Sequence, residues 1–216
     1  MNILLINHYA GSPELGMEFR PYYMAKEWVK MGHQVLIVGG SFSHLRKVQP
    51  QGEEDLIDGI RYRWVKLNTY KGNGVGRIRS MFSFVSKLWW GYKKYIGDFE
   101  PDVVIASSTY PLDIYPARRI AKYYGAKLVY EVHDLWPLSP MELGGYSKRH
   151  PFIMIMQKAE NDCYKNVDAV VSMLPLAEEH MKAHGLAARK FYYVPNGIVL
   201  ADWKNPTGLP EEHGIL

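Results

Sequence analysis

Cysteine is almost missing from this chain, with Cys163 standing alone among 216 residues. No internal disulfide can form, and no thiolate metal framework can be assembled from a single sulfur. Cys163 is expected to act as a small, semi-buried hydrophobe on a helix. Long apolar runs are missing as well, since no stretch approaches the roughly 18 to 20 residues that a membrane span needs. The opening Met1-Asn2 runs straight into Ile3-Leu4-Leu5-Ile6 with no basic segment before it, which makes a cytoplasmic location the expectation. There is no Gly-x-Gly-x-x-Gly, no Walker loop, no internal repeat and no low-complexity tract. Acid is missing from one region in particular. Between Arg61 and Gly97 nine lysines and arginines occur without a single aspartate or glutamate, although the whole chain carries only +4, so the remainder is net −5. That asymmetry points to a local anionic partner rather than a generally basic protein.

What is present describes a globular chain, 47% apolar, 22% charged and 13% aromatic, which excludes disorder and collagen. Short Val- and Ile-rich runs recur at Ile3 to Ile6, Val35 to Val38, Val103 to Ala106, Leu128 to Val132, Ala169 to Ser172 and Phe191 to Val194. Consecutive rather than alternating apolar residues mark strands buried on both faces of a parallel sheet. Helical patterns lie between them. Phe19, Tyr22, Tyr23, Ala25, Trp28, Val29 and Met31 form an amphipathic stripe that stops at Gly32, with Pro21 in the first turn. A long helix is expected near Gly76 to Tyr95, and others near Leu112 to Tyr124, Phe152 to Asn166 and Leu176 to His184. Asp58-Gly59 between two β-prone runs reads as a hairpin or an added edge strand. The fold class is therefore α/β: a Rossmann-like, doubly wound, mainly parallel sheet with helices on both faces, which places ligands at the carboxyl ends of the strands. The proline- and glycine-rich tail from Pro195 onward reads as a linker. The expected division is a domain over residues 1–197, followed by a linker and the start of another domain over 198–216.

The residues suited to chemistry cluster at the ends of those strands. The turn from Asn7 to Met17 puts Gly11 and Gly16 just before a helix N-terminus, either as an anion cradle or as a plain turn. Gly72-Asn73-Gly74-Val75-Gly76 reads as a flexible loop. Glu131-Val132-His133-Asp134-Leu135-Trp136-Pro137 sets His133 and Asp134 at a strand end, as a polar site or a histidine satisfied by local backbone, with Pro137 and Pro140 delaying any helix. Ser107-Ser108-Thr109-Tyr110-Pro111 offers hydroxyls on the same edge, or an ordinary capping turn. His180 and His184 share a helical face, but the His-Glu-x-x-His order is absent and a solvated face is the reading. In the basic helix, Ile78, Met81, Phe82, Val85, Leu88, Trp89 and Tyr92 form the expected core stripe, leaving Phe84, Trp90 and Tyr95 among bases on other faces. Arg77, Arg79, Lys87, Trp90, Lys93 and Lys94 then compose a candidate membrane-facing surface. A recognised nucleic-acid module is missing, so nucleic acid is not expected as a partner.

Taken in order, the opening strand and its glycine loop, Met31-Gly32-His33-Gln34-Val35, Pro101-Asp102-Val103-Val104-Ile105, the His133-Asp134-Leu135-Trp136-Pro137 stretch and Pro195-Asn196-Gly197-Ile198 resemble the N-terminal half of a family 4 glycosyltransferase of the bacterial surface-polysaccharide type. The resemblance covers nearly the whole chain. It implies the GT-B architecture, two Rossmann-like domains across a cleft, with the acceptor bound by the N-terminal one and the nucleotide sugar held by the other. It also implies transfer with retention and no metal or other cofactor, the nucleotide-diphosphate sugar being a co-substrate. Carried over residue by residue, Glu14, Leu15, Gly16 and Met17 form the loop that approaches the donor phosphates, and His133 is the catalytic histidine contacting the transferred sugar. His8, Ser108, Thr109, Tyr110, Asp134 and Trp136 line the acceptor side. The family's second-domain Glu-x7-Glu pair has no counterpart here, so the isolated chain is expected to be inactive, its missing partner being the C-terminal donor domain. Further partners implied are a saccharide or lipid-linked acceptor and the inner membrane surface. Two other readings remain at this point: a non-catalytic membrane-associated subunit of a split glycosyltransferase, and a nicotinamide-dependent oxidoreductase or epimerase, against which the missing dinucleotide fingerprint counts.

Overall fold

The computed structural model describes residues 1–72 and 74–200. The residues expected to begin a second domain lie, from 201 onward, outside the described residues. Eight strands form one sheet: β1 (Asn2–Ile6), β2 (Gln34–Gly40), β3 (Glu54–Ile57), β4 (Ile60–Val65), β5 (Val103–Ala106), β6 (Lys127–Val132), β7 (Ala169–Ser172) and β8 (Phe191–Tyr193). Their spatial order is β3-β4-β2-β1-β5-β6-β7-β8, with β3 antiparallel to β4 and every other pairing parallel. The chain starts in the middle and winds outward in both directions, which is the doubly wound pattern expected from the sequence.

Alternate side chains of the central strands feed two core layers. Leu4, Ile6, Leu36 and Val38 face one layer, and Ile3, Leu5, Val35 and Ile37 face the other. Helix α1 (Arg20–Lys30) covers the second layer through Tyr22 and Ala25. Helices α2 (Val75–Ile96), α3 (Ile114–Tyr124) and α5 (Pro151–Asn166) contribute to the first, where Cys163 is fully buried rather than partly so. Burial pushes its thiol well above the ordinary value. Helix α6 (Ala177–Ala183) follows β7 and adds Ala177 and Met181 to that layer.

The structure refines three expectations. Asp58 and Gly59 both take positive φ in the expected tight turn, yet β4 is more than an added edge, pairing in parallel with β2 from Leu36↔Arg61 to Gly40↔Val65. It is the third strand of the winding, and β3 is the edge. Second, Pro137 and Pro140 do not keep the chain from turning: Leu138–Gly144 is a short helix, α4. Proline 140 sits in its first turn, where a missing N–H breaks no intrahelical bond. Third, the core face of α2 is Met81, Phe84, Leu88, Tyr92 and Ile96, so Phe84 is fully buried while Phe82 is 40% exposed. The expected stripe was too wide and rotated by roughly half a residue step, because aromatics recur on both sides of this helix.

Candidate active site

The carboxyl edge of the sheet is built around the exits of β1, β5 and β6. Asn7 stitches the first two, its Nδ2 donating to the Ser107 carbonyl at 2.7 Å while its Oδ1 accepts the Tyr9 N–H at 2.9 Å. The His8 N–H donates to Ser108 Oγ at 3.0 Å. Its ring is stacked between Tyr9 and Phe84, at 4.3 and 4.7 Å, with Nδ1 2.8 Å from the Tyr110 hydroxyl and Nε2 3.3 Å from Ser80 Oγ. Burial, helped by the charges of Arg46 and Arg77, lowers its pKa to about 3, so the imidazole is neutral. Of the residues expected to line the acceptor side here, His8, Ser108 and Tyr110 are thus buried and satisfied by one another, and Thr109 alone is partly exposed. They shape the edge from beneath.

Beneath Ser108 lies Asp113, whose Oδ2 accepts the Ser108 N–H at 2.8 Å and whose Oδ1 has no hydrogen-bond partner among the described residues. Burial raises its pKa to about 7, against the opposing pull of the Ser108 and Ser107 groups and His133. The folded chain therefore retains a proton that an unfolded chain releases near pH 4, and the stability this brings is lost as pH rises from about 4 to about 7. Urea midpoints measured at pH 5 and pH 8 are expected to fall across that interval, and Asp113→Asn is expected to flatten the fall.

The loop from Ala10 to Glu18 is closed on itself. The Gly11 N–H donates to the Glu18 carbonyl, and Ser12 and Gly16 exchange both backbone hydrogen bonds, at 3.2 and 2.7 Å. Leu15 is buried and its carbonyl accepts the Lys47 and Val48 N–H groups, whereas Glu14 and Met17 point to solvent. Arg46 braces the loop by donating to the Ala10 and Gly40 carbonyls at 2.8 and 2.7 Å, and its guanidinium lies 4.7 Å from the centre of the Trp64 ring. Gly16 takes φ +101°, a conformation that side chains rarely tolerate. A Cβ at Gly11 would stand 1.9 Å from the Gly16 carbonyl oxygen. Gly11→Ala is expected to destabilise the chain by about 1–3 kcal/mol through this overlap, read as a lowered melting temperature.

At the exit of β6 four ionisable groups meet. Glu131, buried, accepts from Arg20 Nε at 2.9 Å and from Ser107 Oγ at 2.6 Å, and its Oε2 lies 3.3 Å from His133 Nε2. Ser107 Oγ is also 3.0 Å from that nitrogen, and Glu18 Oε2 faces His133 Nδ1 at 3.5 Å. Burial alone would raise the Glu131 carboxyl. The hydrogen bond and charge of His133, with Arg20 and Ser107, overcome it and hold the pKa at about 2. On His133 burial pulls downward, and the hydrogen bond and charge of Glu131, with Glu18, prevail and raise it. The result is a histidine at a strand end whose charged form is favoured by its neighbours, its side chain 8% exposed. Asp134 is occupied nearby, accepting from Trp136 Nε1 at 3.1 Å and from the Ser139 hydroxyl.

Arg20 does more than neutralise Glu131. Its two terminal nitrogens donate to the Val194 and Pro195 carbonyls and to Asn196 Oδ1, at 2.9, 3.2 and 3.0 Å. Sequence reading singled out neither Arg20, Glu18, Glu131 nor Asn7. Glu131 carried a signal, as a lone acid inside an apolar strand, since such a charge must be paired. Arg20 carried none, because its partners are 111 and 174 to 176 residues away.

The basic segment divides. Arg77 turns inward, with Nε 3.3 Å from the Tyr9 hydroxyl and its guanidinium within 6 Å of the Tyr9 and Trp136 rings (5.4 and 5.9 Å), so it belongs to the strand-end cluster and not to an outer face. Arg79, Lys87, Trp90, Lys93 and Lys94 are exposed. Lys87 donates to the Lys66 carbonyl, Lys94 approaches Glu53 at 3.4 Å, and Lys93 lies over Tyr123. Trp90 is 77% exposed, with the Arg119 guanidinium 5.7 Å from its ring and 5.0 Å from that of Trp89. A cavity of about 700 Å³ bounded by Asn2, Glu100, Asp102 and Tyr124 opens on the opposite edge of the sheet, away from His133. Among the described residues, one group could hold a metal, Glu160 with His180 and His184, and it lies on α5 and the end of α6 rather than in this cluster.

The Rossmann-like fold matches about half the chain of solved GT-B glycosyltransferases. Sucrose-phosphate synthase from Thermosynechococcus elongatus superposes with a TM-score of 0.71 at 12% identity, over 93% of this chain and 49% of that one. Anabaena HepE in complex with UDP and glucose gives 0.53 at 15% identity, over 93% and 46%. The lipopolysaccharide outer core galactosyltransferase WaaB in its apo form gives 0.52 at 14% identity, over 92% and 46%. The chain thus spans about half the length of these three proteins. A comparison with curated protein sequences finds no match. The family model of Glycosyltransferase Family 4 matches residues 16–202, most of the chain, and the chain belongs to that family.

Proposed function

We propose that this chain is the acceptor-binding half of a retaining glycosyltransferase. It would act in the transfer of a hexosyl unit from a nucleotide-diphosphate sugar to a saccharide or lipid-linked acceptor, in cell-surface polysaccharide biosynthesis. The carrying observation is the imidazole of His133, held at the carboxyl edge of a family 4 fold between Glu131 and Glu18, which favour its charged form. A fixed positive group of this kind stabilises negative charge that develops as the bond from sugar to diphosphate breaks. The nucleotide-sugar donor is supported by HepE, whose solved structures include complexes with UDP and with UDP-glucose. The Glu14-to-Met17 loop stands beside Glu18, where donor phosphates would approach. Asp134, Trp136 and Thr109 are the acceptor-side groups that reach the surface. No metal or cofactor takes part in this reading, and the chain alone is inactive because the donor-binding half lies elsewhere in the polypeptide. The test is transfer from a panel of radiolabelled UDP-, GDP- and ADP-sugars by the full-length protein in the presence of chelator, with product configuration read by NMR. An axial product from an axial donor supports retention, and an inverted product overturns it.

A peripheral position on the inner membrane face is favoured by one observation, the exposed Trp90 with Arg119 against its ring and the exposed Arg79, Lys87, Lys93 and Lys94 on the same helix. Among the described residues no helix is long and apolar enough to cross a membrane. Flotation with anionic vesicles is expected to carry the protein, and Trp90→Ala to weaken it. Equal flotation with neutral vesicles would remove this part. A subunit of a split enzyme is the second reading, and it predicts a native polypeptide near the mass of this chain. The nicotinamide reading has no support from the family or its neighbours.

A further inference from the structure

The two histidines read from the sequence as a solvated face have a third residue against them. His180 lies on α6 and His184 directly after it, and both are half-buried. Helix α5 brings Glu160 to them, with Oε1 2.9 Å from His180 Nε2. One ligand atom from each of the three lies within 4.8 Å of the others. The histidine rings are 4.5 Å apart between centroids, on one face as their i, i+4 spacing requires.

Glu160 is the informative member. Its side chain is 1% exposed, and among the described residues no lysine or arginine lies within ion-pair distance of it, the His180 imidazole being the one basic group against it. A buried carboxylate is normally paired with a full charge or bound to a metal. Its lone pairs are oriented by Tyr164, whose hydroxyl donates to Oε1 at 3.0 Å, and by Gln157, whose Nε2 donates to Oε2 at 2.7 Å. That same Nε2 also lies 3.0 Å from Asn161 Oδ1 and 3.0 Å from His184 Nδ1. His184 Nδ1 also lies 3.0 Å from Asn161 Oδ1, so Gln157 and Asn161 hold the ring through Nδ1 and fix its orientation beside Glu160. Hydrogen bonds onto a ligating carboxylate are also what a metal site needs to orient it.

We propose that Glu160, His180 and His184 form a divalent transition-metal site, with zinc as the preferred ion and water completing a tetrahedron. Two imidazoles and one carboxylate suit zinc rather than calcium or magnesium, which take oxygen ligands. The site fastens the end of α6 to α5, lies outside the strand-end cluster, and has no part in glycosyl transfer.

The test uses the untagged full-length protein, stripped with EDTA and titrated with zinc chloride by calorimetry. One equivalent is expected to bind, with a rise in melting temperature that EDTA reverses. Calcium chloride is expected to give neither. His180→Asn combined with His184→Asn is expected to abolish both effects while leaving His33, His44 and His150 to report adventitious binding. To separate loss of metal from a change in α6, Glu160→Gln serves as a second variant, with its far-UV circular dichroism compared to the parent's. Cobalt added in place of zinc is expected to give the visible absorption of a tetrahedral site in the parent alone. The proposal is overturned by no binding in the parent, or by equal binding and stabilisation in either variant.

Discussion

Replacing His133 with alanine in the full-length enzyme is expected to lower kcat by about 10²- to 10³-fold, the scale on which a preorganised group facing developing charge contributes. KM for the nucleotide sugar is expected to change little, because the proposed function assigns most of the donor's contacts to a separate donor-binding domain. The argument rests on how the imidazole is held. Glu131 and Glu18 flank its two nitrogens, and Ser107 shares the contact at Nε2, so the ring is fixed in orientation and its charged form is favoured. His133→Gln retains a hydrogen-bond donor but no charge, and intermediate activity from it would indicate that part of the effect is directional. Steady-state kinetics on purified variants decides the matter. Unchanged kcat in His133→Ala would remove the histidine from the reaction and with it the central support for the proposed function.

Glu131→Ala is expected to cost about 3–5 kcal/mol of stability at neutral pH, the range found when one member of a buried ion pair is removed and its partner is left behind. Glu131 is 4% exposed and answers two cationic groups, Arg20 and His133, the first of which has a side chain 8% exposed. Deleting it leaves the Arg20 guanidinium without its carboxylate, and His133 with Glu18 alone, in a site that water reaches poorly. The parent's pH dependence carries the same information. A carboxylate held at about 2 contributes stability that is complete above the ordinary value near 4.5 and is lost as pH falls through about 2. Chemical denaturation of parent and variant at pH 7 and pH 3 is expected to show a difference that narrows in acid.

The architecture was legible because hydrophobic runs in parallel strands are local signals, and Ile3 to Ile6, Val35 to Val38 and Val103 to Ala106 all became central strands. The family was legible from short motifs in order, the Gly32-to-Val35 turn, the His133-to-Pro137 stretch and the Pro195-to-Ile198 end being specific only together. The helix face of α2 was less so, since Phe82 and Phe84 are chemically alike and two residues apart, and only packing against β-strands decides which is buried. The site's environment was the least legible. His8, Ser108 and Tyr110 are polar residues at strand ends, a position that suggests contact with ligand, yet their hydrogen bonds to one another were invisible without coordinates. His180 and His184 lacked a third partner in the sequence because Glu160 sits 20 residues before the first of them on another helix.

The placement of Arg20 has a mechanical consequence. One planar group is bolted at one end to the carboxylate that orients His133 and at the other to three acceptors on residues 194–196. A rigid plate anchored at both ends transmits displacement instead of absorbing it. A pull on the chain where it leaves the sheet must either break those three bonds or turn the guanidinium, and turning it shifts the carboxylate and the imidazole together. The segment that follows β8 and the Glu131–His133 pair are thus joined through a single side chain in the first turn of α1.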